Sequence, residues 1–153
     1  MTLALAALVS WLVTAAFGSN LLRMWIARGG IVRRLDEERQ AMSLPPPYFP
    51  APLAYGHFVL AVSGLVVWVA YVVTGWDVLA WVAFAILLGV DLFGFSMFGR
   101  WLGSRRMRVA ALDAGLDGGP AESHLPLVNV FCHGVFASVT VLLVLATAAG
   151  VGR

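Results

Sequence analysis

Four apolar stretches constrain the fold of this chain more than any other feature of its sequence. A helix needs about 20 apolar residues to cross the hydrocarbon core of a bilayer, and such stretches run at residues 3–26, 53–74, 78–98 and 126–149. Hydrophobic residues make up 61% of the chain and charged residues 12%, whereas a soluble domain is about a quarter charged. One small globule cannot hide that much apolar surface from water. We therefore expect an all-α fold, a single transmembrane domain over residues 1–153, in which four transmembrane helices form a bundle.

The basic residues predict the orientation of the bundle. All ten are arginines, and nine lie in or beside the two longer connecting segments: Arg23, Arg28, Arg33, Arg34, Arg39, Arg100, Arg105, Arg106 and Arg108. The short turn at residues 75–77 has none. The positive-inside rule places the nine in the cytoplasm, so we expect a multi-pass plasma-membrane protein with both termini outside. Because positive charge follows the first apolar stretch and does not precede it, we expect a retained helix rather than a signal peptide.

The connecting segments carry weaker predictions. Residues 29–44 mix arginine with acidic residues and favour an amphipathic surface helix, whereas residues 105–123 are rich in glycine and aspartate and favour a mobile surface segment. No internal repeat is evident by inspection. The arginines form no basic face interleaved with aromatic residues, which argues against nucleic acid as a partner. The expected partners are the lipid bilayer and either a second membrane protein or another copy of this chain.

Three ionisable side chains fall inside the predicted spans: His57, Asp91 and His133. Such groups are costly in a membrane and usually face the bundle interior, where they find partners. His57 lies about one turn inside its helix. Asp91 precedes Arg100 by nine residues, or about 13 Å, and His133 follows Pro126 by seven, or about 11 Å. All three therefore lie at similar depth, in the cytoplasmic half of the membrane, and we expect them to cluster.

Helical periodicity predicts which faces point inward. Residues spaced three or four apart lie on one side of a helix. The fourth helix has a small, polar stripe at Asn129, His133, Ala137, Thr140, Val144 and Thr147, and the second has His57, Gly64, Trp68 and Tyr71. In the third helix the expected face is Phe84, Leu87, Asp91, Phe95 and Phe98.

Three interpretations of the polar cluster stay open at this point. In the first, Asp91 and one histidine form a hydrogen-bonded pair that only fixes helix packing, as in a structural or partner subunit of a larger membrane complex. In the second, His57 and His133 ligate haem b from its two faces. In the third, His57, Asp91 and His133 bind a metal or relay protons, as in a transport component. No nucleophile–base arrangement, zinc spacing or phosphate loop is present, so we do not expect an enzyme.

Short motifs carry a family resemblance. The segments Tyr55–Phe58, Gly75–Asp77 and Met97–Trp101, together with His133 and Gly134, resemble small, uncharacterised four-helix integral membrane proteins of actinobacteria. This resemblance implies a plasma-membrane location and no particular activity. The pair His57 and His133 also resembles the haem ligands of four-helix membrane cytochromes b, which implies haem b as cofactor.

Overall fold

The structure is a computed structural model that describes residues 2–30, 49–115 and 120–151. Its elements are all helical: α1 (Thr2–Ala27), α2 (Ala51–Thr74), α3 (Asp77–Asp113), a short 3₁₀ turn (Ala121–His124) and α4 (Leu127–Ala148). All four α-helices are long and apolar enough to cross a membrane. The predicted all-α fold with four membrane-spanning helices is confirmed.

Proline residues precede α2 and α4, and a glycine ends α2. Pro50 precedes α2 and Pro126 precedes α4, where a residue without an N–H group is tolerated because the first turn has no acceptor for it. Gly75 ends α2 with a positive φ of 71° and donates its N–H to the carbonyl of Tyr71 at 2.8 Å. This left-handed cap needs glycine, and the tight turn that follows makes α2 and α3 antiparallel.

α3 is longer than its apolar stretch. It continues past residue 98 to Asp113, so the prediction of a mobile surface segment is wrong for residues 105–113. Hydropathy reports where a helix leaves the lipid, whereas the arginine, alanine and leucine residues that follow are good helix formers in water. The predicted surface helix at 29–44 lies almost wholly outside the described residues.

The helices pack as two antiparallel pairs. α1 lies against α4, where the Ser10 and Thr140 hydroxyls are 2.9 Å apart. α2 lies against α3, where a Cβ atom added at Gly64 would come within 3.1 Å of Ile86. Both pairs run antiparallel, and so do α1 and α2, whose Trp68 indole donates to the carbonyl of Ala4 at 3.2 Å. α1 and α3 therefore point one way, and α2 and α4 point the other.

Two apolar clusters hold the pairs together at different depths. The arginine-rich end is defined here as the end where α1 and α3 finish and α2 and α4 begin, and its cluster is centred on Trp25, Phe49, Ala54, Trp101 and Leu125. The opposite, far end has a second cluster around Ala7, Trp11, Trp68, Ala83 and Val144. Between them lies the histidine layer, defined here as residues 14–18, 57–61, 90–94 and 133–137.

The predicted inward faces are confirmed for α2 and α4, whereas the face predicted for α3 is correct only in part, since Leu87 is buried but Phe95 and Phe98 are exposed. Gly64, Trp68 and Tyr71 of α2 are buried, and so are Thr140, Val144 and Thr147 of α4. In α3 the buried face instead contains Ala80, Ala83, Leu87, Val90, Trp101 and Ser104, while Phe95 is 74% exposed. Because lipid is as apolar as a protein core, an aromatic stripe does not distinguish a lipid-facing side from a packed one.

The buried hydroxyls offer a test of the α1–α4 contact. Replacing Thr140 with valine removes the hydroxyl that lies 2.9 Å from Ser10 and 3.3 Å from Thr14. We expect the free energy of unfolding to fall by about 0.6 kcal/mol, the average measured for hydrogen bonds between membrane helices, and by no more than about 1.7 kcal/mol, the largest value measured. Ser138→Ala is the matched control, since the exposed Ser138 hydroxyl bonds only within α4, to Gly134. Titration of mild-detergent micelles with dodecyl sulfate measures both, and equal losses would contradict an interhelical role.

Candidate functional site

The two intramembrane histidines meet inside the bundle. The ring centroids of His57, from α2, and His133, from α4, are 6.1 Å apart, and the ring planes are inclined by 66°. A carbon atom packs at about 3.5–4.0 Å from its neighbours, so no side chain fits between rings this close. The predicted meeting of His57 and His133 is therefore present in the structure.

Each ring is fixed by a backbone carbonyl of the neighbouring helix. Nδ1 of His57 lies 3.0 Å from the carbonyl oxygen of Val90 in α3. Nδ1 of His133 lies 3.0 Å from the carbonyl oxygen of Thr14 in α1. A carbonyl oxygen only accepts, so Nδ1 carries the hydrogen and donates it. Each neutral ring then has its lone pair on Nε2, and that nitrogen is left for a ligand.

A glycine makes room for each ring. The carbonyls that accept from the histidines belong to Thr14 and Val90, and the residue one turn later is Gly18 in α1 and Gly94 in α3. A Cβ atom at Gly18 would lie 2.9 Å from Cε1 of His133, and one at Gly94 would lie 3.4 Å from Cε1 of His57. The close approach of His133 to the backbone of α1 therefore depends on the missing side chain at Gly18, whereas a Cβ at Gly94 would make an ordinary contact with His57.

These equivalent contacts show that the chain contains an internal repeat, in which α1 corresponds to α3 and α2 corresponds to α4. His133 follows His57 by 76 positions (133 − 57 = 76), and the same offset relates a set of identical residues across the two halves: Ala7 and Ala83, Gly18 and Gly94, Trp25 and Trp101, Pro50 and Pro126. Inspection of the sequence missed this repeat, because the intervening positions mostly differ. The signal that finds it is a comparison of the chain with itself at this single offset.

The repeat is also structural. The bond from His133 to Thr14 and the bond from His57 to Val90 join equivalent positions and have the same length, 3.0 Å. Ala7 and Ala83 are both fully buried, and Trp25 and Trp101 are both 2% exposed. Since α1 is parallel to α3 and α2 to α4, an approximate twofold axis runs along the helices, as in parallel membrane repeats. The two histidines face each other across this axis.

Asp91 is not brought into the histidine pair. It lies next to Val90 on α3 but only half-buried, and no hydrogen bond joins it to either ring within the described residues. Among those residues no group of three or more His, Cys, Asp or Glu side chains could hold a metal ion. The predicted three-residue metal site and the proton relay through Asp91 therefore find no support in this geometry.

The hydrophobic core is interrupted at the level of the histidines. Within the histidine layer only Val90 is classed as buried, whereas the clusters on either side contain fully buried side chains. Several of the layer's partly buried positions carry small residues: Ala15, Gly18, Ala61, Gly94 and Ala137. The layer thus has fewer buried side chains than the apolar clusters at the two ends.

The fold and the site define a class: a four-helix membrane bundle made of two parallel repeats, with one histidine from each repeat at the axis. No family model, curated protein or solved structure matches this chain. The resemblance to actinobacterial membrane proteins therefore stays a prediction, and any functional conclusion depends on the geometry of the site.

Proposed function

We propose that this protein binds one haem b through His57 and His133 and carries single electrons. The separation of the two rings supports this most directly. Imidazole nitrogens bind a metal such as zinc at about 2.0 Å, so two histidines that held one metal between them would have neighbouring rings. The centroids of His57 and His133 are 6.1 Å apart.

The hydrogen bonds at Nδ1 support the same proposal. A histidine that ligates a metal nearly always donates its other ring N–H to a carboxylate, a backbone carbonyl or water, which fixes the tautomer and the ring orientation. Both rings have such a bond, to Val90 and to Thr14. Both present Nε2, the nitrogen that a haem iron would take.

The layer between the apolar clusters suits the porphyrin. A porphyrin held by both histidines would lie between the α1/α4 pair, within which His133 is bonded, and the α2/α3 pair, within which His57 is bonded. At this level of the bundle the partly buried positions Gly18, Ala61, Gly94 and Ala137 carry small side chains, beside the larger Phe17, Phe93 and Phe136. The haem edges would then lie toward the α1–α2 and α3–α4 sides, where the helices pack less extensively than within the pairs.

Two histidine ligands also define the chemistry. The haem that His57 and His133 would hold through their imidazoles would supply the gain and loss of single electrons. The protein would therefore act between a one-electron reductant and a one-electron oxidant. It would not be an enzyme with a substrate site of its own.

The arginines supply the proposed orientation. Arg23, Arg28, Arg105, Arg106 and Arg108 lie at the arginine-rich end, and this end would face the cytoplasm under the positive-inside rule. Both termini would then lie outside the plasma membrane. The haem would sit in the cytoplasmic half of the bilayer, six residues or about 9 Å from the starts of α2 and α4.

The visible spectrum of protein purified in mild detergent from iron-replete cells tests the proposal. We expect a Soret band, about one haem per chain, and sharp bands of six-coordinate haem on reduction. The 66° inclination of the rings predicts the highly anisotropic low-spin ferric signal that inclined imidazole planes give in electron paramagnetic resonance. Asp91→Asn should leave these spectra unchanged. Folded but colourless protein would contradict the proposal. Elemental analysis of such a sample would then show directly whether it contains a metal.

A packing role in a larger membrane complex is the second candidate, and one observation favours it. The Nδ1 hydrogen bonds tie α2 to α3 and α4 to α1, and the ring separation lies within the range of edge-to-face ring contacts. In this case removal of either histidine would lower the stability of a colourless bundle. A membrane protein partner would also co-purify with the chain.

A further inference from the structure

Two buried tryptophans at the arginine-rich end have indole N–H groups that find no acceptor in the part of the chain that the structure describes. Trp25 and Trp101 are each 2% exposed, and their indole Nε1 atoms have no partner among the described residues. A buried donor without an acceptor costs free energy, so such groups usually have a partner. Trp25 and Trp101 occupy equivalent positions of the repeat, so a buried indole N–H without an acceptor among the described residues occurs once in each half.

The two indoles lie at a fixed height from the histidine layer. Trp25 follows Gly18 by seven residues and Trp101 follows Gly94 by seven, or about 10.5 Å along each helix. Helical side chains lean toward the N-terminus of their helix, which here means back toward the histidines. The span is comparable with that from a haem iron to its propionate carboxylates.

The indoles also stand on opposite sides of the twofold axis. Trp25 packs on Phe49, just before α2, with ring centroids 6.5 Å apart, and so lies on the α1–α2 side. Trp101 lines a recess with Leu127 and Val130 of α4, and so lies on the α3–α4 side. These are the two sides toward which the edges of a haem between the helix pairs would point.

We propose that the indole N–H groups of Trp25 and Trp101 each bind one haem propionate, so that the haem edge carrying the carboxylates faces the arginine-rich end. This rests on the proposed haem site. Haem b has two carboxylates on one edge, and a porphyrin plane that contains the protein's axis places them symmetrically about it. Arg105, whose guanidinium lies 5.3 Å from the Trp101 ring centroid, adds positive charge at the same end.

The far end of the bundle cannot serve the carboxylates in the same way. Of its two buried tryptophans, Trp11 and Trp68, Trp68 already donates its indole N–H to the carbonyl of Ala4, and neither indole N–H is left buried without a partner in the way that those of Trp25 and Trp101 are. A carboxylate placed against Trp68 would find that indole N–H already engaged. The two ends therefore differ in what they offer to an anion.

Glu122 is the competing acceptor at the arginine-rich end. Its side chain is fully buried, Oε1 accepts the N–H of Phe49 at 3.1 Å, and Oε2 has no partner among the described residues. If the indole N–H groups donate to Glu122, removing them will change the affinity for every porphyrin by the same factor. If they donate to the propionates, the affinity will change only for a porphyrin whose carboxylates are free.

Haem binding to apoprotein from haem-deficient cells separates these cases. Trp25→Phe and Trp101→Phe keep an apolar ring and remove the donor, and each should weaken the binding of haem b about tenfold. Neither should change the binding of haem dimethyl ester, whose carboxylates are blocked. Trp81→Phe, at a 48% exposed position, is the matched control and should change neither.

The outcomes are distinct. Equal weakening of haem b and of its dimethyl ester in the two variants, with far-UV circular dichroism unchanged, would overturn the propionate contact and leave the haem site standing. Wild-type apoprotein that binds neither porphyrin would overturn the haem site itself.

Discussion

His57→Ala and His133→Ala should each abolish the six-coordinate haem spectrum and weaken haem binding more than about a hundredfold. Loss of a group that merely orients a ligand costs 10–100-fold in metal affinity, and each substitution removes a ligand together with its oriented hydrogen bond. Because the two histidines are equivalent in the repeat and make equal 3.0 Å bonds, we expect losses of similar size. Optical titration of the apoprotein with haem measures them.

Two further samples make this experiment decisive. His124→Ala, in the 3₁₀ turn before α4, should retain the wild-type spectrum, because the third histidine of the chain lies outside the histidine layer. His133→Gly should regain a six-coordinate spectrum when free imidazole is added, since the small ligand can occupy the space of the lost ring. Retention of the wild-type spectrum in either His57→Ala or His133→Ala would contradict ligation by the pair.

The sequence predicted those parts of the fold that hydropathy controls directly. Unpaired backbone groups are costly in lipid, and apolar side chains are costly in water. The predicted start of each span therefore lies within two residues of the observed helix start. The end of α3 was predicted wrongly because a helix does not stop where its apolar stretch stops. The inward face of α3 was predicted only in part, with Leu87 buried but Phe95 exposed, since lipid and core favour the same side chains. Asp91 was therefore placed too far inward.

The site was predictable only in part. His57 and His133 stand out in sequence because ionisable groups are rare in membrane spans, and their similar depths follow from simple counting along the helices. The bonds that orient them were not predictable, because their acceptors are backbone carbonyls, which every residue has. Gly18, Gly94, Trp25 and Trp101 were missed as well. Glycine and tryptophan are common in membrane helices, and only their shared 76-position offset from one another (94 − 18 = 76, 101 − 25 = 76) marks them as part of one arrangement.

Gly18→Ala should damage the site more than any other single methyl group added in the histidine layer. The new Cβ would lie 2.9 Å from Cε1 and 3.3 Å from Nδ1 of His133, and the ring cannot move away without lengthening its bond to Thr14. The helix itself gains by about 1 kcal/mol when alanine replaces glycine, so the fold should persist. We expect haem affinity to fall at least tenfold, the lower bound for disturbing a group that orients a ligand.

The repeat provides graded controls for this substitution. Gly94→Ala places a Cβ 3.4 Å from Cε1 of His57, which is an ordinary contact, and Gly134→Ala meets nothing within 4 Å although it adjoins His133. Haem affinity should therefore fall most in Gly18→Ala, less in Gly94→Ala and not at all in Gly134→Ala. The melting temperatures of the three apoproteins show whether each remains folded. The two substitutions Gly18→Ala and Gly134→Ala add the same methyl group and differ only in what that group contacts. If haem affinity fell as much in Gly134→Ala as in Gly18→Ala, clearance around the His133 ring would not be what positions it.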